Sequence, residues 1–179
     1  MWVGKITVFI LLIFFRSVST AGPDYPELKH KTFEAKVIGI TDGDTIEILY
    51  RNQPIKIRLA HIDCPEKRGS QPYGNDAKAA LSKLCFGQQV QVHAQNYDRY
   101  KRLIAVVVNI RKQNVNQEMI KQGMAWHFKK YSKDTVYAQL EVRARRNKIG
   151  LWKDAQAVAP WDWRKHIRQA KATHNKQKD

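Results

Sequence analysis

The chain has 179 residues, 43% of them hydrophobic, which suits one domain with a modest core rather than several. Lys and Arg number 32 against 16 Asp and Glu, a formal net charge of +16. That excess argues against cationic partners and leaves two anionic ones, the phosphate chain of a nucleic acid or an acidic membrane surface.

In chain order, residues 1–21 (MWVGKITVFILLIFFRSVSTA) combine Lys5, an apolar run from Ile6 to Phe15, and small residues at Ser19 and Ala21. The run is too short to span a bilayer comfortably. It reads as a secretory signal peptide cleaved after Ala21, in preference to an uncleaved anchor. Its removal takes away Lys5 and Arg16 and leaves +14 on the mature chain, which is expected to be secreted or periplasmic. Residues 22–32 read as a polar leader.

FEAKVIGI, DTIEILY and IKIRLAHI follow, three β-rich runs separated by the turn signals DG and RNQP. Residues 64–74 (CPEKRGSQPYG) form a loop. Residues 75–85 predict a helix with Ala77, Ala80, Leu81 and Leu84 on one face, Asn75 as its cap and Gly87 closing it. QVQVHAQN alternates as a half-buried strand, and LIAVVVNI reads as a more fully buried one. VNQEMIKQGMA predicts a short helix stopped near Gly123. TVYAQLEVRARRNKIGLW predicts another, with Val136, Leu140 and Ala144 inward and Gly150 as its stop. Trp152 is expected in the core, with Trp161 and Trp163 docking the terminus. Residues 164–179 read as a basic, flexible tail that adds charge rather than core.

Five short strands interrupted by one helix predict an α+β fold over residues 33–163. The expected form is a partly open, five-stranded β-barrel of the oligonucleotide-binding type with about three helices. A β-rich sandwich or a mixed α+β layer is the alternative, and no such fold supplies a reaction by itself. Cys64 and Cys85 are the only cysteines. In an exported protein they can pair, or Cys85 can serve as a small buried apolar residue. His61, His93 and His127 lack metal-ligand spacing.

The chemistry-bearing residues lie in three stretches. In GITDGDTIEI, Gly43 is expected to turn the chain at positive φ, with Asp42 bonding local backbone. Asp44 opens a strand on the face of Ile46 and Ile48, where a carboxylate is costly unless paired or bound to a cation. In IKIRLAHIDCPE, Asp63 and Glu66 flank Pro65, whose ring stiffens the corner. If the two strands pair through RNQP about a centre near residues 52–53, Asp44 and Asp63 meet at the open end of the hairpin. Two carboxylates there suit a hard cation such as Ca²⁺. In NYDRYKRLIAVVV, Arg102 precedes the buried strand. Arg58 and Arg102 are both expected to face the carboxylates and to hold phosphate oxygens.

TDGDT, IRLAHIDCPE, PYG before an alanine-rich helix, DRYKR before a buried strand, and VNQEMIKQGMA occur in order across residues 33–152. As an ordered set they resemble the thermonuclease family, the staphylococcal-nuclease-like secreted nucleases. The resemblance implies a Ca²⁺-dependent phosphodiesterase acting on DNA and RNA and leaving 3′-phosphate ends. It implies that Asp44 and Asp63 are calcium ligands, that Cys64 lends its backbone carbonyl, and that Asp42 is an outer carboxylate. It makes Glu66 the general base, and Arg58 and Arg102 the phosphate-contacting arginines. Tyr100 and Tyr131 fall near the aromatics of the nucleotide pocket. Lys101 departs from the family, whose pattern has glycine there, and Cys64 stands where Thr or Ala is common. The expected molecule is a monomeric endonuclease that binds DNA or RNA through a basic surface. The competing reading is a non-catalytic nucleic-acid-binding barrel.

Overall fold

A computed structural model describes residues 25–67 and 70–176. The signal-peptide segment lies outside the described residues. Strands β1 (Thr32–Asp42), β2 (Thr45–Tyr50), β3 (Gln53–Leu59), β5 (Gln89–Tyr97) and β6 (Leu103–Val108) form a closed barrel in the order β1-β2-β3-β6-β5. Alternation builds it: Ala35 and Val37, Ile46 and Ile48, Ile55 and Ile57 are all buried, with Lys36, Ile38 and Lys56 outward. β1 pairs with β2 on one side and β5 on the other, and β3 meets β6 in a parallel pair. Closure removes the free edges that an open five-stranded sheet would leave. The barrel is therefore closed rather than partly open.

Among the described residues four α-helices, one more than expected, pack around it: α1 (Gly74–Cys85), α2 (Val115–Lys121), α3 (Thr135–Arg146) and α4 (Pro160–Lys176). α1 buries Ala77, Leu81 and Leu84 as the pattern predicts. Its cap is Tyr73 in a left-handed conformation rather than Asn75, and Gly87 closes it at φ 73°. α2 carries Asn116, a buried side chain that ties the barrel's parallel seam. Its Oδ1 accepts from Val107 N at 3.1 Å, while Nδ2 donates to the carbonyls of Ala60 and Ala105 at 3.0 Å each.

α3 differs from expectation at its start, while Ala144 is buried and Leu140 packs on the core as expected. Tyr137, Glu141 and Ala144 face inward, while Val136 is exposed. Glu141 can be buried because Arg145 and Lys129 reach its two oxygens at 3.0 and 3.2 Å. Gly123 and Gly150, both at positive φ, bring the end of α2 against the 3₁₀ turn Gly150–Lys153, so close that neither could carry a side chain.

Two segments expected at the margins belong to the body. Leu28 is buried in the barrel core and Tyr97 Oη donates to Tyr25 O at 2.9 Å, so the leader from Tyr25 onward packs on the barrel. The boundary drawn at residue 164 falls inside α4. Pro160 opens that helix, as its fixed φ favours. Trp161 packs edge-on against Trp126 at 5.7 Å and stacks on Phe128 at 5.5 Å. Trp126, Trp152, Leu151, Ala144 and Ala159 make a second apolar cluster beneath it. No described helix is long and apolar enough to cross a membrane.

Candidate active site

The TDGDT stretch is the turn from β1 into β2, with Asp42 paired to Thr45 across it. Asp42 Oδ1 accepts from Gly43 N at 2.9 Å, the local bond expected of a turn aspartate. Gly43 differs from expectation. Its φ is not positive, and the reason for glycine is space: a Cβ would stand 2.7 Å from Ala77 Cβ and 2.8 Å from Cys64 Cβ. The turn is thus pressed between α1 and the DCPE corner. Asp44 is buried there. Its Oδ1 accepts from Thr45 Oγ1 and its Oδ2 from Cys64 N, both at 3.0 Å.

The hairpin register is tighter than expected. Tyr50 pairs with Gln53 and Thr45 with Arg58, so the residue opposite Asp44 is Leu59, whose N–H donates to Asp44 O at 2.8 Å. Asp63 reaches Asp44 by another route. β3 ends at Leu59, the chain bends at His61 (φ 68°), and a two-residue strand β4 (Ile62–Asp63) pairs with β7 (Trp126–His127). The IKIRLAHI run is therefore broken before His61, which leaves the Leu59 face and bonds Ser132 Oγ at 2.8 Å.

Arg58 joins the two aspartates. Its Nη2 lies 3.1 Å from Asp44 Oδ2 and 2.8 Å from Asp63 Oδ1. Its Nη1 donates to the carbonyls of Leu59 and Ile62 at 2.9 Å each, which fixes the fork. Both carboxylates therefore border one small space. Glu66 completes it from the loop before α1. Glu66 N donates to Gln71 Oε1 at 2.9 Å, and Gln71 Nε2 donates to Val158 O at 2.8 Å. Gly74 is required beside it, since a Cβ there would meet Glu66 O at 2.6 Å.

The sequence reading did not include Arg164 of α4. Its Nη2 donates to Asp63 Oδ2 at 2.6 Å, and its Nη1 bonds Asp63 Oδ1 at 3.3 Å and Glu66 Oε1. It lies 101 residues from Asp63, inside a run of tail cations, and no spacing rule reaches that far. The available signal was PWDW: a Pro before two tryptophans marks a docked helix start, and Arg164 follows Trp161 by three residues.

Electrostatics follow from this crowding. Burial pushes the Asp63 carboxyl up to about 6, with Arg58 pulling it down and Asp44 raising it. Asp42 is also raised, first by burial and then by Asp44 and Glu66, against the lowering bond from Gly43. Arg58 is held more firmly charged by Asp44 and Asp63 than its burial alone would allow. Asp44, Asp63 and Glu66 thus share the guanidiniums of Arg58 and Arg164, and Asp42 lies close enough to Asp44 and Glu66 to feel their charge. The surplus of carboxylate oxygen fits a hard divalent cation with oxygen ligands. Asp44 and Asp63 are the side chains that would hold it. Among the described residues no three His, Cys, Asp or Glu side chains converge as ligands, so carbonyls or water would supply the rest of such a shell.

Other expected residues fall differently. Arg102 is taken by Asp98 in the turn between β5 and β6. Its Nε and Nη2 lie 2.8 and 2.7 Å from Asp98 Oδ2, and its guanidinium lies over the Tyr100 ring. Asp98 Oδ1 also accepts from Tyr100 N and Arg102 N, so the acid that shapes the turn also neutralises the arginine. Arg102 is therefore not bonded into the carboxylate cluster as Arg58 is. Tyr100 and Tyr131 are 64% and 72% exposed, the first beneath the guanidiniums of Arg99 and Arg102 and the second edge-on to Phe128. Both cysteines are free and buried. Cys64 Sγ donates to Gly43 O at 3.2 Å and Cys85 Sγ to Leu81 O at 3.3 Å, so neither is in a disulfide.

The arrangement joins oxygen ligands, a carboxylate able to take a proton, and fixed guanidiniums, the parts needed to handle a phosphate ester. Comparison with known proteins agrees. Residues 56–154 match the family model described as staphylococcal nuclease homologue. The chain is 46% identical over 131 residues to an "uncharacterized endonuclease" of Haemophilus influenzae, covering 73% of this chain and 72% of that protein. It is 39% identical over 148 residues to the "micrococcal nuclease" of Shigella flexneri, covering 77% and 84%. It is 39% identical over 155 residues to "Protein ParB" of Escherichia coli, covering 81% and 84%. With its barrel, its DGD turn and its DCPE corner, the chain belongs to the staphylococcal nuclease homologue family.

Proposed function

We propose that the protein is a secreted, calcium-dependent nuclease that hydrolyses phosphodiester bonds in DNA and RNA and leaves 3′-phosphate ends. The observation that carries the reading is Arg58, whose one nitrogen bridges Asp44 and Asp63 next to Glu66. Asp44 and Asp63 would hold the cation, with the Cys64 carbonyl beside them and Asp42 as outer support. A bound Ca²⁺ would polarise a phosphoryl oxygen and offset developing negative charge.

The chain's own groups do the rest. Glu66, anchored through its backbone to Gln71 and α1, accepts the proton of an attacking water. Arg58 is mostly buried and fixed by three hydrogen bonds and an ion pair to Asp44, so it can stabilise phosphoryl charge without reorganising. Arg102 takes part by exchanging Asp98 for a phosphate. Tyr100 and Tyr131, both exposed, offer rings to bases. A purely binding barrel would use the charge and the tyrosines equally well, but it would have no use for four crowded carboxylates, which repel phosphate.

The test is digestion of single-stranded DNA, duplex DNA and RNA by the mature chain, followed by end-group analysis. The reading predicts 3′-phosphate ends that phosphatase removes. Products with 3′-hydroxyl ends would contradict the assigned bond polarity, and absence of products would contradict the enzyme.

A further inference from the structure

Arg164 occupies the side of the carboxylate cluster that a cation would need. Both Asp63 oxygens are bound by guanidinium nitrogens, and Glu66 Oε1 is bound by the same Arg164 fork. The arginine is delivered by α4. α4 follows the second apolar cluster, docks through Trp161 on Trp126 and Phe128, and is linked to the Glu66 loop by Gln71 and Val158. Arg164 stands one turn along from Trp161, so docking of the ring and insertion of the guanidinium are one event.

We infer that Arg164 is a built-in cation that competes with the metal for Asp63 and holds Glu66 out of use, so that α4 sets the metal affinity of the site. The inference rests on the calcium reading above. Arg58 leaves Asp63 Oδ2 to other partners and Arg164 takes it, so a divalent ion meets a second positive charge at that oxygen and is repelled. Metal binding and α4 docking are therefore coupled, and the coupling is reciprocal: whatever loosens α4 tightens metal binding, and metal loosens α4.

The experiment is calorimetric titration of the mature full chain with Ca²⁺, for the wild type, Arg164→Ala and Arg164→Lys. The inference predicts a calcium Kd at least about tenfold tighter in Arg164→Ala, within the usual range of couplings. Arg164→Lys keeps the charge but loses the fork, and is expected between the two. Equal Kd values for wild type and Arg164→Ala would overturn the inference and leave the calcium site standing. Weaker binding in Arg164→Ala would overturn it too, by making Arg164 a support for the carboxylates. No calcium binding by any of the three would overturn both readings. A second measurement needs no variant: hydrogen exchange along residues 160–176 of the wild type, with and without saturating Ca²⁺. Faster exchange on adding Ca²⁺ supports the latch, and unchanged exchange overturns it.

Discussion

Asp42 and Asp44 are two residues apart and do different work. Asp42 closes its own turn, whereas Asp44 is buried and bound to Arg58, Thr45 and the Cys64 amide. Arg58 is the residue whose role follows most directly from geometry. Arg58→Ala is expected to lower kcat by about 10²- to 10³-fold while changing substrate affinity less, because a fixed donor acts mainly on developing charge. Equal losses in kcat and binding, measured by single-turnover kinetics and filter binding, would make Arg58 a binding residue. Gly43 is as constrained as any charged group. Gly43→Ala places a methyl against Ala77 Cβ and Cys64 Cβ and is expected to cost roughly 1–3 kcal/mol in urea unfolding. Unchanged stability would show that the turn can move away from α1. At this scale the sequence was legible where chemistry is local. Asp44, Asp63, Arg58 and Glu66 could be grouped from DGD and IRLAHIDCPE. Gly43 was given the wrong reason because its neighbour Ala77 comes from a distant helix. Lys101 sits at φ 61°, the left-handed region where a glycine pattern is understandable.

The elements explain why Asp44 and Asp63 meet by a route other than the expected one. The expected straight strand through His61 would have set Asp44 against Asp63 directly. The actual break at Ala60–His61 moves Asp63 onto β4, whose partner β7 precedes α3. Period-two alternation cannot reveal such a break, because Leu59, Ala60 and Ile62 are all buried on either side of it. In α3 the expected Leu140 and Ala144 do face the body, but Tyr137 replaces Val136 and Glu141 joins the buried face, an acid that its two cationic partners make tolerable. The β4–β7 ladder also makes a pH prediction. His127 is buried, bonded to Ser132 Oγ at 2.9 Å and near Tyr137, and burial lowers its pKa from 6.5. The unfolded chain then binds a proton that the folded one refuses. Stability from the neutral ring is present above 6.5 and lost as pH falls from there toward the lowered folded value. The urea midpoint of the wild type should therefore fall more steeply than that of His127→Gln between about pH 7.5 and about pH 5. Parallel curves would mean that His127 does not titrate with folding.

For the whole molecule, closure of the barrel puts the start of β2, the end of β3 and the Glu66 loop at one place, and α4 adds a second arginine from the far end of the chain. The barrel was legible from five alternating runs, although its closure was not. Closure depends on β1 bending through two bulges so that it can pair with both β2 and β5. The tail's composition is polar, which hides that it continues a helix held to the body by contacts that include Trp161 and Arg164. On the proposed function, the +16 net charge of the whole chain would draw in a polyanion, and the acids of the site would reserve that spot for a cation and a reacting phosphate. The most direct test of that account is a single assay: hydrolysis of single-stranded DNA by the mature chain with Ca²⁺ and with chelator, beside Glu66→Gln. The account predicts cleavage only with Ca²⁺ and a fall of about 10²- to 10⁴-fold in Glu66→Gln, which should still bind the DNA. Full cleavage in chelator, or a Glu66→Gln variant as fast as the wild type, would contradict it.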